Sequence, residues 1–369
     1  MKPRPSVKHL LRLIRQASPE TRHVVQEGAR MPAGQRSICG PRCAARPRFS
    51  GTGTYVTSVT NRSGKQPSPL YARPVASVTP DLSRALDLVA DGVRAQESIL
   101  FLGAGVHAPP SAESAFSYPV EQRPPFGSAL SRELAHECGF AEQLPREDPG
   151  NLQRVALAYE IAFSRARLVD AVNEAVHVGK EPSPMLRALA QLDFPVVITT
   201  NYDQLFEKAL RDAGKQPRVA IYTPRLEETT DFRKPTAESP IVFKIHGDIS
   251  RPETVVITDE DYIDFVLRMS NKEPYDPLPR RLKVFLTDWT TLFVGYSLLD
   301  YNLRLLFKTL RWKIDNANLP DMYSVDFAPD PLIMDVWQNQ RRYVKFIAQD
   351  VWAFVPRLYQ LVLGKELSS

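Results

Sequence analysis

From residue 80 onward the chain alternates between two hydrophobic periods. Over 80–93, "PDLSRALDLVADGV", apolar residues at 82, 86, 88, 89 and 93 share one helix face, with Asp81 or Ser83 placed to cap it. The run "SILFLGAGVHAPPS" (98–111) then reads as a strand, apolar on both faces, that enters a Gly-rich turn. Such a strand belongs in a parallel sheet covered by helices on both sides. Residues 112–126 form a Pro-rich loop, and helical spacing returns over 127–139, 151–178 and 184–192. Pro195 opens a strand over 195–200, and a helix follows at 203–213. "SPIVFKIHGDI" (239–249) is another apolar strand with a polar end. Residues 253–269 predict a short strand and then a helix, with Thr258 and Asp261 at capping-box spacing. A helix near 278–288 precedes a strand, polar turn and helix over 290–312. Strand-like runs at 322–330 and 342–348 and a closing helix at 351–363 complete the pattern. Strands alternating with helices predict an α/β fold: Rossmann-like, doubly wound, with a mostly parallel sheet.

The strand ends are where the chemistry gathers. One ends in Gly103-Ala104-Gly105, the next in Thr199, Thr200, Asn201, Tyr202 and Asp203, the next in His246-Gly247-Asp248, and another in Gly295-Tyr296-Ser297. In an open parallel sheet these ends share one edge, where ligands bind. "GAGVHA" fits G-x-G-x-x-A, with Gly103 allowing a tight turn and Gly105 a close approach to a pyrophosphate. Pro109 and Pro110 stop a regular helix from following directly. Asn201 offers an amide donor and a carbonyl acceptor, fit to orient a water or a ribose hydroxyl; a plain Asx cap is the alternative. Asp203 can equally be that cap. His246 carries an imidazole able to take a proton near neutral pH, against the alternative of a packed ring. "FVGYSLL" has G-x-S without the second glycine of a hydrolase elbow, so Ser297 reads as a phosphate or ribose partner. Asp300 falls in the first turn of the following helix, where a carboxylate suits the dipole.

Composition changes the picture mainly at the N terminus. The chain has 369 residues, 43% hydrophobic, with a net charge of +5. Residues 1–75 hold 14 Lys or Arg against only Glu20 and Glu27, so the remaining chain is acidic. An acidic body lacks the footprint of a nucleic-acid binder. Residues 1–80 are rich in Arg, Pro, Ser, Gly and Thr, and only 7–16 has helical periodicity. This segment is expected to be disordered or dispensable. Its Arg-rich, acid-poor character also fits a transit peptide, a basic arm or translated upstream sequence. Three cysteines, Cys39, Cys43 and Cys138, make no paired framework and suggest a reduced compartment. Cys39 and Cys43 lack a second pair to complete a metal site. No run of about 18 apolar residues is present, so no transmembrane helix is expected.

Taken together, "FLGAG", "TTNYD", "KIHGD" and "FVGYS", in this order, resemble the sirtuin-like (silent information regulator two) superfamily, and most closely its bacterial branch. The resemblance spans roughly 84–363. It implies a nicotinamide-dinucleotide site: Gly103, Ala104 and Gly105 at the phosphates, and Thr200, Asn201 and Asp203 at the nicotinamide ribose and pocket. It also implies His246 as general base, with Gly295, Ser297 and Asp326 on the adenosine side. Sirtuin deacylases carry a zinc ribbon between the H-G and G-x-S motifs, yet residues 247–296 contain no cysteine. No metal is therefore expected. The second, smaller lobe is expected from helical insertions around 109–192, within a domain over 81–369. The turn also runs into "VHAPPSAES" where the family places a longer cofactor loop with an arginine.

Both departures count against a peptide acceptor and leave water as the nucleophile. The resemblance thus implies a cytoplasmic NAD+ glycohydrolase, of the kind that depletes NAD+ in anti-phage defence. Its partners would be NAD+ and either a second copy or a separate sensor protein, with no membrane and no nucleic acid on the main domain. The alternatives are a non-enzymatic NAD or ADP-ribose sensor, and a protein deacylase or ADP-ribosyltransferase.

Overall fold

The computed structural model describes residues 82–222, 234–270, 279–298, 320–339 and 344–368. By its contacts the chain divides into Met1–Arg73 and Pro74–Ser369, and every described residue lies in the second unit. The basic segment 1–80, the Cys39/Cys43 pair, Asp300 and the helix expected after Ser297 lie outside the described residues.

Among the described residues seven strands form one parallel sheet: β1 (Ser98–Leu102), β2 (Val196–Thr199), β3 (Arg218–Ile221), β4 (Ile241–Lys244), β5 (Thr290–Val294), β6 (Met322–Val325) and β7 (Val344–Ile347). Their spatial order is β3-β4-β2-β1-β5-β6-β7. Strand β1 sits at the centre, paired with β2 on one side and β5 on the other. From β1 the chain first builds one half of the sheet and then crosses to build the other. That reversal opens a crevice at the carboxyl ends of β1 and its neighbours.

The strands alternate strictly between two cores. Leu100, Leu102, Val197, Val242, Leu292 and Val294 face one layer. Ile99, Phe101, Val196, Ile198, Ile241, Phe243 and Phe293 face the other. Each such side chain contributes about 1.5–3 kcal/mol by leaving water, so both faces of every central strand are committed to packing. The first layer is closed by α1 (Leu82–Arg94), α6 (Pro184–Gln191), α7 (Leu205–Asp212) and α11 (Val351–Leu363). Residues 127–176 hold α2 (Gly127–Glu137), α3 (Phe140–Gln143), α4 (Leu152–Ala162) and α5 (Arg165–Val176).

These four helices make a core of their own, joined by Ile249, Val255 and Ile257. The helix expected over 151–178 is two helices. The break falls at Phe163, and the Ser164 hydroxyl accepts from the amide of Arg167 to start α5. Helix α6 belongs to the sheet layer, with Pro184 at its first turn and Ser183 as its cap.

Two sequence expectations fail. Residues 253–258 form no strand: a short 3-10 turn (Pro252–Thr254) is followed by extended chain, then α8 (Asp259–Ser270). Val255 and Ile257 turn into the helical core, so their β-branched run packs without a sheet partner. The capping box does form: Asp261 N–H donates to Thr258 Oγ1 at 3.2 Å, and Thr258 N–H to Asp261 Oδ2 at 2.9 Å. Strand β3 is the opposite case, absent from the pattern yet present at the sheet edge. Helices α9 (Arg280–Asp288) and α10 (Pro331–Asn339), with 3-10 turns at Ala104–His107 and Val120–Gln122, complete the described elements. Among the described residues no helix is long and apolar enough to cross a membrane.

Candidate active site

At the carboxyl edge of the sheet lies a cavity of about 540 Å³. Its walls include Ala104, Gly105, Thr200, Asn201, Asp203, His246, Gly295, Ser297 and Asp326, so nine of the ten residues singled out in the sequence meet in one space. Gly103 is the exception. The opposite wall comes from Pro124–Gly127, Leu130, Leu152 and Val176 of the helical lobe and its approach.

The glycines at the floor serve the backbone first. A Cβ on Gly105 would meet Gly295 Cα at 2.9 Å, and one on Gly295 would meet Val106 N at 2.1 Å. Gly295 also has φ +68, in the left-handed region that favours glycine. The turns after β1 and β5 thus cross in direct contact. Gly103 N–H donates to Val294 O at 3.1 Å and Gly105 N–H to Gly295 O at 2.8 Å. Both amides are thereby taken up inside the protein.

The loop after β2 is held rigidly. Thr199 Oγ1 donates to Leu102 O at 3.1 Å and accepts from Asn201 N–H at 3.0 Å. Tyr202 OH donates to Val256 O at 2.8 Å. Asp203 Oδ1 accepts from Leu205 N–H at 2.9 Å, an Asx-type turn at the entry to α7; the cap position itself is Gln204, whose side chain makes no capping bond. Half-buried Asn201 lines the cavity. His246 is 4% exposed, and its ring lies edge-on to Tyr262 and Phe265, with centroids 5.4 and 5.5 Å away. Gly247, at φ +87, lets the Thr254 carbonyl pass where a Cβ would be 2.1 Å from its oxygen. That glycine makes room for backbone.

Sequence reasoning missed the charged cluster behind this loop. Lys244, at the end of β4, is fully buried, with its ammonium 2.6 Å from Asp248 Oδ2 and 3.1 Å from Glu207 Oε1. It also donates to the carbonyls of Tyr202, at 3.3 Å, and Asp203. The clue was a lysine inside the apolar run "IVFKI". Burial pulls the Lys244 ammonium down, but Glu207, Asp248 and Asp203 more than reverse this and keep it charged. His107, also buried, sets Nε2 3.5 Å from Asp203 Oδ2. Burial pushes the Asp203 carboxyl up; His107 and Lys244 outweigh that and hold it below 3.8. Burial likewise opposes ionisation of Asp248, yet Lys244 and Ser250 leave it lowered. Glu207 is raised, burial there outweighing Lys244.

The signs give a pH prediction. Asp203 and Asp248 stabilise the fold above their ordinary value of 3.8, and that stability is lost as pH falls through their lower folded values. Glu207, raised in the fold, works the other way above 4.5. With two groups against one, thermal melts between pH 6 and 3 should show the midpoint falling below about pH 4. Asp248→Asn should flatten that fall. A midpoint indifferent to acid would remove these carboxylates from the account.

Among the described residues, no group of three or more His, Cys, Asp or Glu is arranged to hold a metal ion.

Comparison with known proteins is consistent with this geometry. Residues 195–346 match the SIR2-like domain model. The NAD(+) hydrolase ThsA of Acinetobacter baumannii (strain 532279) is 28% identical over 227 residues, covering 61% of this chain and 42% of that protein. The NAD(+) hydrolase ThsA of Cytobacillus dafuensis is 40% identical over 181 residues, 48% of this chain and 34% of the relative. The Defense-associated sirtuin 2 of Bacillus subtilis is 27% identical over 158 residues, 42% of this chain and 14% of the relative. The chain therefore spans less than half the length of these relatives.

Proposed function

We propose that this chain, which carries a SIR2-like domain, hydrolyses NAD+ to nicotinamide and ADP-ribose. The observation that carries the reading is the meeting of Asn201 and His246 on one cavity at the carboxyl edge of a parallel sheet. The printed names of two relatives, both NAD(+) hydrolases, support the substrate.

The chemistry assigned to the residues is simple. The Asn201 amide positions a water against the anomeric carbon of the nicotinamide ribose. His246 takes the proton as the water oxygen bonds to that carbon. The carbon–nitrogen bond breaks, and its electron pair leaves with nicotinamide. The balance is NAD+ and water to nicotinamide, ADP-ribose and a proton. Because the breaking bond leaves an oxocarbenium-like centre, fixed geometry and a nearby carboxylate supply most of the acceleration. Asp203, held ionised at this wall, is that carboxylate. Depletion of NAD+ as a defence against phage, in the cytoplasm, is the biological role we assign. A second copy or a separate sensor protein would supply the restraint such an activity needs.

The test is nicotinamide release from NAD+ by the purified protein, followed by chromatography. Asn201→Ala should lower the rate by about 10²-fold, the range seen when one positioned polar group is removed. Tight binding of NAD+ without release would replace this reading with that of a nucleotide sensor. Release that depends on an acyl-lysine peptide would replace it with a deacylase.

A further inference from the structure

We infer that His107 is a positioning residue of the proposed site: its imidazole fixes the second carboxylate oxygen of Asp203, and through that carboxylate it aids the departure of nicotinamide. This deepens the proposed hydrolase reading and rests on it.

The fingerprint G-x-G-x-x-A leaves position 107 open to any residue, so a histidine there answers no need of the turn. The ring is 4% exposed and lines the cavity. Among the described residues, neither of its nitrogens has a hydrogen-bond partner. A buried imidazole with both nitrogens unused is costly. Nε2 lies 3.5 Å from Asp203 Oδ2, just beyond the usual reach of a formed N–H···O bond. Hydrogen bonds in catalytic sites are often long at first and tighten only in the reacting complex.

The frame around the pair is rigid. Val106 O accepts from Ser183 Oγ at 3.4 Å, and Ala108 O accepts from Trp352 Nε1 at 3.1 Å. Ala108 N–H closes the turn on Gly105 O at 3.1 Å. His107 is therefore pinned on either side. Asp203 is held from behind: the Lys244 ammonium donates to its carbonyl, and Leu205 N–H donates to Oδ1 at 2.9 Å. Oδ2 is the oxygen left over, and His107 faces it. Burial opposes the charge on Asp203; of the groups that restore it, His107 comes first, ahead of Lys244.

The consequence for the reaction is geometric. As the carbon–nitrogen bond breaks, positive charge moves from the pyridinium ring to the ribose. A carboxylate serves that charge best from a fixed place. To fix it, His107 must carry a proton on Nε2, since a bare nitrogen would set acceptor against acceptor.

The test begins with His107→Asn, too short to reach Oδ2. Its kcat for nicotinamide release should fall by about 10²-fold, the cost of a small misplacement, with KM within about threefold of wild type. His107→Gln, whose amide N–H reaches as far as Nε2, should recover the rate to within about tenfold. ADP-ribose, which lacks the departing ring, should bind both variants within about twofold of wild type by calorimetry. In an Asp203→Asn background, His107→Asn should cost less than about threefold more, because the two act as a unit. Additive losses, a glutamine variant as slow as the asparagine one, or weakened ADP-ribose binding would make His107 a packing residue and overturn the inference. Nitrogen NMR of the histidine-labelled full chain reads the pair without turnover, with His107→Gln identifying its signals. The proton should sit on Nε2; a proton on Nδ1 with Nε2 bare would overturn the inference as well. Wild-type protein that releases no nicotinamide would sink the hydrolase reading itself, whereas release with a failed glutamine rescue would sink only this one.

Discussion

Lys244→Met is expected to destabilise the protein by about 3–5 kcal/mol, the range for breaking a buried ion pair by removing one partner. For a domain of this size that is a fall of roughly 6–20 °C in the thermal midpoint. The argument is one of leftover charge. Methionine fills much of the volume of the lysine stem, so packing changes little. What changes is that Asp248 and Glu207, buried 2.6 and 3.1 Å from the ammonium, lose their only cation among the described residues. The carbonyls of Tyr202 and Asp203 lose a donor at the same time. Those carbonyls belong to the loop that presents Asn201, so nicotinamide release should fall together with stability. Adding Glu207→Leu to Lys244→Met removes one stranded carboxylate and should recover part of the midpoint. Differential scanning calorimetry of the two variants decides the matter. A Lys244→Met protein that melts within 2 °C or so of the wild type would mean the cluster is far better solvated than its burial indicates.

His246→Gln should separate chemistry from folding. A positioned general base contributes about 10²–10⁴ in rate, and glutamine retains a polar side chain of similar reach without a nitrogen that accepts a proton. Nicotinamide release is therefore expected to drop by that factor. Because the ring packs edge-on against Tyr262 and Phe265, some stability is lost too, about 1 kcal/mol for such aromatic contacts. NAD+ affinity should change little, since the proton is transferred only as the bond breaks. A variant that retains more than about a tenth of the wild-type rate removes His246 from the role of base, because that loss lies well below the expected range.

How much of this was written in the chain can be judged residue by residue. The run Val196–Thr199, buried on both faces, is legible because β-branched residues without alternation mean a central parallel strand. The polar strand ends were legible for the same reason: a parallel sheet sends all of them to one edge. Strand β3 was not. Of its four residues only Ala220 is buried and Val219 is exposed, so Arg218–Ile221 lacks the apolar run that marks its neighbours. Residues 253–258 erred the other way, since local β-propensity was overridden by packing into the helical lobe. The pairing of His107 with Asp203 joins residues 96 apart in the chain, and nothing in the spacing announces it. Lys244 was readable in principle, because a charge amid buried strand positions requires buried partners.

The place of β1 has one more consequence. The segment that matches the SIR2-like model, 195–346, begins after β1 has already been laid down. A fragment cut at those limits would contain strands from both halves of the sheet and lack the strand that binds them. β2 and β5 would each present a raw, apolar edge to solvent, the arrangement that drives strands to pair with strands of other molecules. The borders of the recognisable motif are therefore not those of a unit that can be excised. The molecule is sewn along its middle by a thread that enters from outside them.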